Sequence, residues 1–427
     1  MRGREAPDRE VGESGTVERV HLPPWMVGAG TVLAAGAVLV ATLTSAAGPG
    51  PAAEGLWTCF LCGDRGVADA IMNVVLFLPL GFLLSLLTRA PLRTLAALVF
   101  FSVAVEVAQL WIPGRYSSSG DVISNSVGAA TGIVFAFRGM LLVRPSGRDR
   151  RVLRLLAFVV ASAAVATTAL LDEQRLPEGR YHVRWTPEIE HLEAYRGSVT
   201  HAALGGRLLK PGGLDGPGWV GEGLGRGETL ELRIRVGPRS ERLAPLLTVH
   251  DHREREILLL GLQGDDVIFR VRLLADALRL ARPELRLPDA VRRGVGATTV
   301  VKATRRVDGS YCLSTEELAR CGLGIGPADG WSFLLSPPDL SGTERGFLRG
   351  AWLLALFLPV GYLAGGWRGH LAAALLPVVL LYGFPLVTTL LPTPAWGWAG
   401  ALTGLLAGLG LATATSAHPE PAPPAPR

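Results

Sequence analysis

The stretch 69-DAIMNVVLFLPLGFLL-84 places two polar residues, Asp69 and Asn73, at the start of an otherwise apolar run. The two residues are four positions apart, so on a helix they lie one turn apart on the same face. The run continues to Thr88, which gives the roughly 20 residues that a helix needs to cross a bilayer. The stretch therefore predicts a membrane-spanning helix that carries polar groups at one end.

The composition of the whole chain also indicates a membrane protein. Of its 427 residues 49% are hydrophobic and 19% are charged, which is too apolar for an ordinary soluble protein of two domains. The formal net charge of +5 is modest, and no basic helix interleaved with aromatic residues is present. We therefore expect no nucleic-acid partner.

Eight segments are apolar and long enough to span a bilayer. The first follows 24 mostly polar residues and is longer than the core of a signal peptide, so we interpret it as an uncleaved anchor. The eight predicted spans are 25–47, 68–88, 92–112, 122–143, 152–171, 347–366, 369–391 and 396–414.

The distribution of arginine predicts the orientation of the spans. Short links rich in arginine occur at 88–93, 144–154 and 366–370, and positively charged short loops stay in the cytoplasm. This places both termini in the cytoplasm and residues 172–345 outside. The predicted regions are a tail (1–24), five spans (25–171), an outer domain (172–345), three spans (346–414) and a proline-rich tail (415–427).

The outer region differs from the rest of the chain. It is charged, it is punctuated by glycine and proline, and it contains short β-rich runs, which together predict an antiparallel β-sandwich. The predicted strands lie at 228–236, 245–251, 256–263, 266–274 and 297–305.

The four cysteines form two local pairs, which agrees with an oxidising environment. Cys312 and Cys321 are nine residues apart, and we expect a disulfide bond between them. Cys59 and Cys62 lie in the first outer loop. For this pair a structural disulfide, a reactive pair and a metal-binding pair all remain open.

Polar residues recur at the outer ends of spans two, three and four. Ionisable side chains inside a bilayer cost at least a few kcal/mol each, so such groups should face one another and not lipid. We expect them to line one pocket, formed by Asp69, Asn73, Glu106, Gln109, Arg115, Asp121 and Asn125.

Two interpretations of this pocket stay open. The polar groups are either a structural device that holds three helices together or a ligand or reaction site. In an enzymatic version Glu106 or Asp121 is the general acid or base, and Arg115 anchors a phosphate or carboxylate. Arg115 alternatively pairs with Glu106 or Asp121. We expect neither a cofactor nor a resident metal at this pocket.

These residues also carry a family resemblance. In order along the chain, 69-DAIMNVVLFLPLGFLL-84, 105-VEVAQ-109, Arg115, 117-SSSGDVISN-125 and the glycines 128 and 132 resemble the VanZ-like family over about 60–145. That family of bacterial membrane proteins is named for a protein associated with low-level teicoplanin resistance. The resemblance implies a protein of the bacterial cytoplasmic membrane with a role in the cell envelope, and it implies no particular reaction.

The last three spans repeat this unit in the same orientation. The stretch 356-LFLPVGYLA-364 echoes 76-LFLPLGFLL-84 at an offset of 280, and 404-GLLAG-408 echoes 128-GAATG-132 at an offset of 276. The copy lacks the polar set: Asn73, Glu106, Gln109 and Asn125 correspond to Leu353, Pro385, Thr388 and Ala401. This loss favours a function in the first unit, unless the second unit is instead held by packing on the first.

The outer domain has a resemblance of its own. The stretch 245-PLLTVHDHREREILLLGLQGDDVIFRVRLL-274 is similar to concanavalin A-like and laminin-G-like sandwich modules. This resemblance implies glycan binding, sometimes through calcium. Asp251, Asp265 and Asp266 are candidate oxygen ligands, although acidic residues at strand ends also form turns.

These observations give a leading hypothesis and two alternatives. The leading one is a protein that binds, and in an enzymatic version modifies, a lipid-linked or anionic envelope component at the outer leaflet, with a link to glycopeptide (teicoplanin) resistance. In it, the sandwich recognises a glycan or a partner protein. One alternative is a non-catalytic, membrane-anchored binding module. A transporter is the other, and the one-sided position of the polar groups counts against it.

Overall fold

The computed structural model describes residues 23–44, 60–61, 63–112, 115, 117–143, 145, 147–177, 179–189, 192–214, 219–335 and 340–416. Eight helices within these residues are long and apolar enough to cross a membrane, so the prediction of a polytopic protein is confirmed. They are α1 (Pro24–Leu43), α2 (Gly66–Thr88), α3 (Pro91–Gln109), α4 (Ser119–Val143), α5 (Gly147–Leu171), α8 (Gly342–Leu363), the span Gly366–Val387, which begins with α9 (Gly366–Val378), and α10 (Ala395–Ser416). The short helices α6 (Trp219–Gly225) and α7 (Leu274–Ala277) belong to the outer domain.

The seventh span is less regular than the sequence suggested. Helix α9 changes at Val379 to a π turn (Val379–Gly383) and then to a 3-10 turn (Phe384–Val387), whereas a continuous span over 369–391 was predicted. Pro385 is the physical reason, because it lacks an N–H and its ring excludes the carbonyl four residues earlier. That carbonyl, of Leu381, instead accepts a hydrogen bond of 2.9 Å from the Thr393 hydroxyl.

The outer domain consists of two six-stranded antiparallel sheets, as the β-rich runs predicted. One has the order β4-β1-β6-β7-β8-β9 and the other β12-β11-β10-β5-β2-β3. The strands are β1 (Tyr181–Trp185), β2 (Ser198–Leu204), β3 (Arg207–Leu208), β4 (Gly212–Gly213), β5 (Leu230–Arg235), β6 (Ala244–Asp251), β7 (Glu256–Gln263), β8 (Asp266–Val271), β9 (Leu285–Leu287), β10 (Thr298–Arg305), β11 (Tyr311–Ser314) and β12 (Ala319–Leu323).

Glycines bring α2 and α4 into backbone contact in the first three-helix unit (α2–α4). A Cβ atom added to Gly128 would lie 2.3 Å from the carbonyl oxygen of Val74, and one added to Gly132 would lie 2.1 Å from that of Leu78. Only glycine permits this approach, which is the geometry expected of a G-x-x-x-G face.

The second unit (α8–α10) repeats this packing at the predicted offsets. A Cβ atom at Gly404 would lie 2.5 Å from the carbonyl oxygen of Leu354, and one at Gly408 would lie 2.2 Å from that of Leu358. Because the same pairs of positions meet in α8 and α10 as in α2 and α4, the internal repeat is confirmed in three dimensions.

The two units are supported by different neighbours. The core of the first unit is shared with α1, through residues such as Val38, Phe77 and Leu98. The core of the second unit is continuous with α5 and with the sandwich. The second unit therefore packs on α5 and the sandwich. The alternative that it is held by packing on the first unit is not what the structure shows.

A disulfide bond joins Cys312 in β11 to Cys321 in β12, as predicted. These two strands are at the edge of the second sheet, so the bond fastens an edge strand to its neighbour. Cys59 and Cys62 lie outside the described residues, and the alternatives for that pair stay open.

Replacing Cys321 with serine is expected to lower the free energy of unfolding of the sandwich by about 2–3 kcal/mol, the chain-entropy value for a loop of this length. Urea unfolding of the full chain with and without reductant measures this. The reductant should shift the wild-type transition and leave that of Cys321→Ser in place. Equal sensitivity of both proteins would contradict the expectation.

Candidate functional site

The end of the first unit that lies next to the sandwich carries a pair of facing polar groups on α2 and α4. The Asn73 amide nitrogen donates to Oδ1 of Asp121 over 2.9 Å. Asp69, one turn before Asn73, is exposed, and its negative charge repels that of Asp121. Three of the predicted residues thus meet at the mouth of the site.

Glu106 lies behind this mouth, with only 1% of its surface exposed. Its carboxylate accepts the backbone N–H of Ser118 over 2.9 Å, and its backbone carbonyl accepts the Ser117 hydroxyl. Ser118 in turn accepts the N–H of Gly120 with its hydroxyl oxygen, over 3.1 Å. Glu106 therefore fastens the end of α3 to the first turn of α4 and satisfies a backbone donor that the helix cannot satisfy itself.

Arg115 and Gln109 both reach to the end of α1. Arg115 donates from Nε to the Thr44 carbonyl over 3.0 Å and from a terminal nitrogen to the Ala41 carbonyl over 2.8 Å. Gln109 donates to the Thr42 carbonyl over 3.1 Å. The last carbonyls of a helix lack intrahelical partners and attract cations, so these two side chains cap α1.

The direct ion pair that we considered between Arg115 and Glu106 or Asp121 is not formed among the described residues. The guanidinium prefers the helix carbonyls, and its charge attracts all three carboxylates only at longer range. Arg65, just before α2, also attracts Asp69, so the three carboxylates of the cluster face two guanidinium groups and carboxylates remain in excess.

Two buried acceptor atoms of the cluster have no hydrogen-bond partner within the described part of the chain. They are Oε1 of Gln109 and Oδ1 of Asn125, whose residues are 5% and 1% exposed. The amide nitrogen of Asn125 is engaged, since it donates to the Ser102 hydroxyl over 2.9 Å. Buried acceptors without a donor are costly, and a bound ligand or water that donates hydrogen bonds would remove this cost.

The structure thus brings the seven predicted residues to one end of the first unit, in two layers. Four are exposed or half-buried at the mouth and three are buried behind them. The mouth residues are Asp69, Asn73, Arg115 and Asp121, and the buried ones are Glu106, Gln109 and Asn125.

The sandwich and the loop before α2 lie beside the same end. The carbonyl of Arg279 accepts the first free N–H groups of α2, from Val67 over 3.2 Å and from Ala68 over 3.3 Å, and the Arg279 guanidinium donates to the Leu61 carbonyl over 2.8 Å. We call these contacts the Arg279 cap. The site therefore faces the outer domain.

The acidic residues of the sandwich that were candidate calcium ligands are engaged elsewhere. Asp251 accepts from Arg255 Nε over 2.7 Å and from the Arg253 N–H over 2.9 Å, and Asp265 and Asp266 form ion pairs with Arg239 and Arg286 respectively. Among the described residues no group of three or more His, Cys, Asp or Glu side chains could hold a metal. Turn formation explains these aspartates better than metal binding.

A second polar site, not predicted from the sequence, lies where α5 meets the sandwich. A cavity of about 700 Å³ is lined by residues that include Asp172, Gln174 and Arg305. The Gln174 amide donates to the Tyr311 hydroxyl, and Arg305 donates to Gln174 over 3.3 Å. These residues come from the end of α5 and from strands more than 130 residues later in the chain, so no local sequence signal unites them.

Asp172 gives this second site a pH dependence. Burial raises the pKa of its carboxyl to about 8, a rise that Arg305 opposes and Asp329 supports. Since the pKa of an unfolded aspartate is about 4, folding favours the protonated form. This contribution to stability is complete below about pH 4 and is lost as the pH rises through 8.

Between pH 5 and pH 9 the Tm of the wild-type protein should therefore fall by roughly 2–4 °C more than that of Asp172→Asn, whose amide does not ionise. Thermal unfolding of both proteins at several pH values measures the difference. Parallel pH profiles for the two proteins would contradict it.

The first of these sites lies within the part of the chain that a protein-family model matches. The VanZ/LLP1 family model matches residues 37–144, about a quarter of the chain, and this range contains all seven residues of the cluster. No curated protein and no solved structure matches the chain. Residues 37–144 thus form a VanZ-like domain, and its range reaches into α1, which the predicted bounds of 60–145 left out.

Proposed function

We propose that the VanZ-like domain binds the polar head group of a lipid-linked component of the bacterial envelope, at the membrane surface beneath the sandwich. The two unpartnered acceptors, Gln109 Oε1 and Asn125 Oδ1, are the observation that carries the proposal. A ligand that donates hydrogen bonds would satisfy both atoms, which no described side chain does.

The charge of the cluster favours a head group that donates hydrogen bonds. The three carboxylates of Asp69, Glu106 and Asp121 face two cations, since Arg65 attracts Asp69 and the guanidinium of Arg115 already binds two carbonyls. Of the two ligand classes suggested by the sequence, a lipid-linked sugar with hydroxyl or amine donors fits this environment better than a simple anion. Carboxylate and amide oxygens are suitable acceptors for such donors.

Asp121 is the better candidate for proton transfer. Asn73 holds Oδ1 of Asp121, and among the described residues no donor contacts Oδ2, which leaves that oxygen for a ligand hydroxyl. Glu106, in contrast, is buried and bound to the N–H of Ser118, so we assign it a positioning role. In an enzymatic version Asp121 is the general base.

Binding of a synthetic prenyl-phosphate-linked disaccharide to the purified full chain, measured by native mass spectrometry, tests the proposal. We expect Asp121→Asn to weaken binding at least about tenfold, the loss of one charged hydrogen bond. The unlinked disaccharide and inorganic phosphate separate recognition of the sugar, the phosphate and the lipid. Asp308→Asn, an exposed change in the sandwich, is the control.

A second readout is the teicoplanin susceptibility of bacteria that express the variants. We expect Asp121→Asn and Asn73→Ala to lose any protection that the wild-type chain gives, at equal abundance. Wild-type binding and wild-type protection by both variants would sink the proposal and favour the non-catalytic binding module. Deletion of residues 180–340 is a poor test of the sandwich, because it also removes the Arg279 cap.

We also propose that the sandwich is outside the cell and that both termini are cytoplasmic. The Cys312–Cys321 disulfide supports this orientation, because such bonds persist in oxidising compartments. An alkaline phosphatase fused after residue 416 should be inactive, and one fused within 306–309 should be active. The opposite pattern would reverse the assignment.

A further inference from the structure

A second cavity, of about 230 Å³, lies between the sandwich and the first turns of α8. Its lining is unusually rich in arginine. The charged residues that line it are Arg286, Arg320, Arg345, Arg349, Glu284 and Asp329. We call it the arginine cavity.

Both carboxylates of the arginine cavity are already paired. Asp329 binds Arg349 through two contacts of 2.6 and 3.2 Å, and Glu284 binds Arg270, which lies outside the lining. Arg320 and Arg345 have no carboxylate partner among the described residues. Asp329, which is already paired with Arg349, attracts Arg345 only at longer range, so no described carboxylate neutralises either guanidinium by direct contact.

Arg345 is in the least favourable position of the four. It is half-buried, which disfavours its charge most, and the guanidinium groups of Arg349, Arg286 and Arg320 repel it while Asp329 attracts it. Such repulsion is costly where water is partly excluded. A bound anion would make the net electrostatic interaction of Arg345 with its surroundings favourable.

The cavity also contains a buried donor without an acceptor. Trp331 is 8% exposed, it lines the cavity, and its indole N–H has no partner within the described residues. Together with the guanidinium groups it offers a set of donors, which matches an anion with several acceptor oxygens.

The position of the cavity indicates where such an anion comes from. Arg345 and Arg349 lie one turn apart at the sandwich end of α8, a helix that spans the membrane by length and composition. Because this is one end of a span, it would lie near the lipid head groups of a bilayer that α8 crosses. In the repeat alignment Arg349 takes the place of Asp69, so the two units carry opposite charges at equivalent positions.

We propose that the arginine cavity binds a phosphate group, with Arg320 and Arg345 as its main ligands and the Trp331 N–H as a further donor. The bound group is the phosphate of an anionic lipid or a free phosphate ion. This site is separate from the cluster of the first unit, and neither proposal depends on the other.

Calorimetric titration of the full chain in detergent with dihexanoylphosphatidylglycerol and with inorganic phosphate tests the proposal. Arg345→Gln and Arg320→Gln should each weaken binding at least about tenfold, while Arg292→Gln, an exposed arginine of the sandwich, should not. Tighter binding of the short-chain lipid indicates a membrane lipid, and equal binding indicates free phosphate. Either result supports the site.

The thermal stability of the unliganded protein supplies a second readout. Because Arg345 is repelled by its neighbours, Arg345→Gln should keep or raise the Tm without ligand and lose the rise in Tm that phosphate produces in the wild type. A lower Tm without ligand and an unchanged response to phosphate would assign Arg345 a structural role. That outcome, or failure of the wild type to bind either probe at 10 mM, roughly the weak limit of specific sites, would overturn the proposal.

Discussion

Gly132→Val is expected to destabilise the first unit by at least about 3 kcal/mol, since it forces α2 and α4 apart. The added Cβ would lie 2.1 Å from the Leu78 carbonyl oxygen and 2.6 Å from the Phe82 nitrogen. Both are backbone atoms and cannot move aside as a flexible side chain can. The expected result is a much lower yield of folded protein and a lower Tm in detergent.

Gly139→Val is the matched control for this prediction. Gly139 is in the same helix, yet a Cβ atom added there would have no neighbouring atom within 4 Å, so the change should cost less than about 1 kcal/mol. Gly408→Val and Gly410→Val form the corresponding pair in α10, with a Cβ at Gly408 only 2.2 Å from the Leu358 carbonyl oxygen and open space at Gly410. Similar Tm values within either pair would show that the helices pack differently.

Arg349→Met is expected to destabilise the junction of the sandwich with the second unit by about 3–5 kcal/mol. Asp329 is 4% exposed and binds Arg349 over 2.6 and 3.2 Å, so removal of the cation leaves a buried carboxylate without its partner. Thermal unfolding of the full chain measures the loss.

Two further variants separate this cause from a loss of side-chain packing. The double variant Arg349→Met with Asp329→Asn should recover part of the stability, because the asparagine is uncharged and keeps an oxygen for the Gly326 N–H. Arg226→Met removes the ion pairs of a guanidinium side chain that is 62% exposed, to Glu222 and Glu228, and should cost less than about 1 kcal/mol. If the double variant is no more stable than Arg349→Met, the unpaired buried carboxylate of Asp329 is not the cause of the destabilisation.

The sequence predicted the elements of this protein better than their contacts. The spans, the repeat, the sandwich strands and the Cys312–Cys321 bond follow from hydrophobic periodicity, glycine spacing and local pairing, which are short-range signals. The same signals located the seven polar residues at one end of the first unit. These signals did not predict the irregular end of span seven, where Pro385 changes the helix type before the predicted end.

The partners of the polar residues could not be predicted, because they come from distant parts of the chain. Arg115 was predicted either to pair with Glu106 or Asp121 or to anchor an anionic ligand, and it caps α1, more than 70 residues earlier. The two units differ by more than the absence of the polar residues from the second one. Its outer end acquired Arg349, whose partner Asp329 is supplied by the sandwich, so the copy replaced one polar contact with another.

The Arg279 cap has a consequence for access to the candidate site. Its contact with Leu61 closes a chain separation of 218 residues, whereas the contact between Asp329 and Arg349 closes one of 20. The contact between Arg279 and Leu61 is also exposed and single, whereas Arg349 binds Asp329 through two partly buried contacts, which are stronger. Local opening should therefore release the first unit before the second, so that amide hydrogens of Val67 and Ala68 exchange with solvent faster than that of Gly326. The sandwich would then act as a hinged cover, fixed over α8 and free to lift from the carboxylates of α2 and α4.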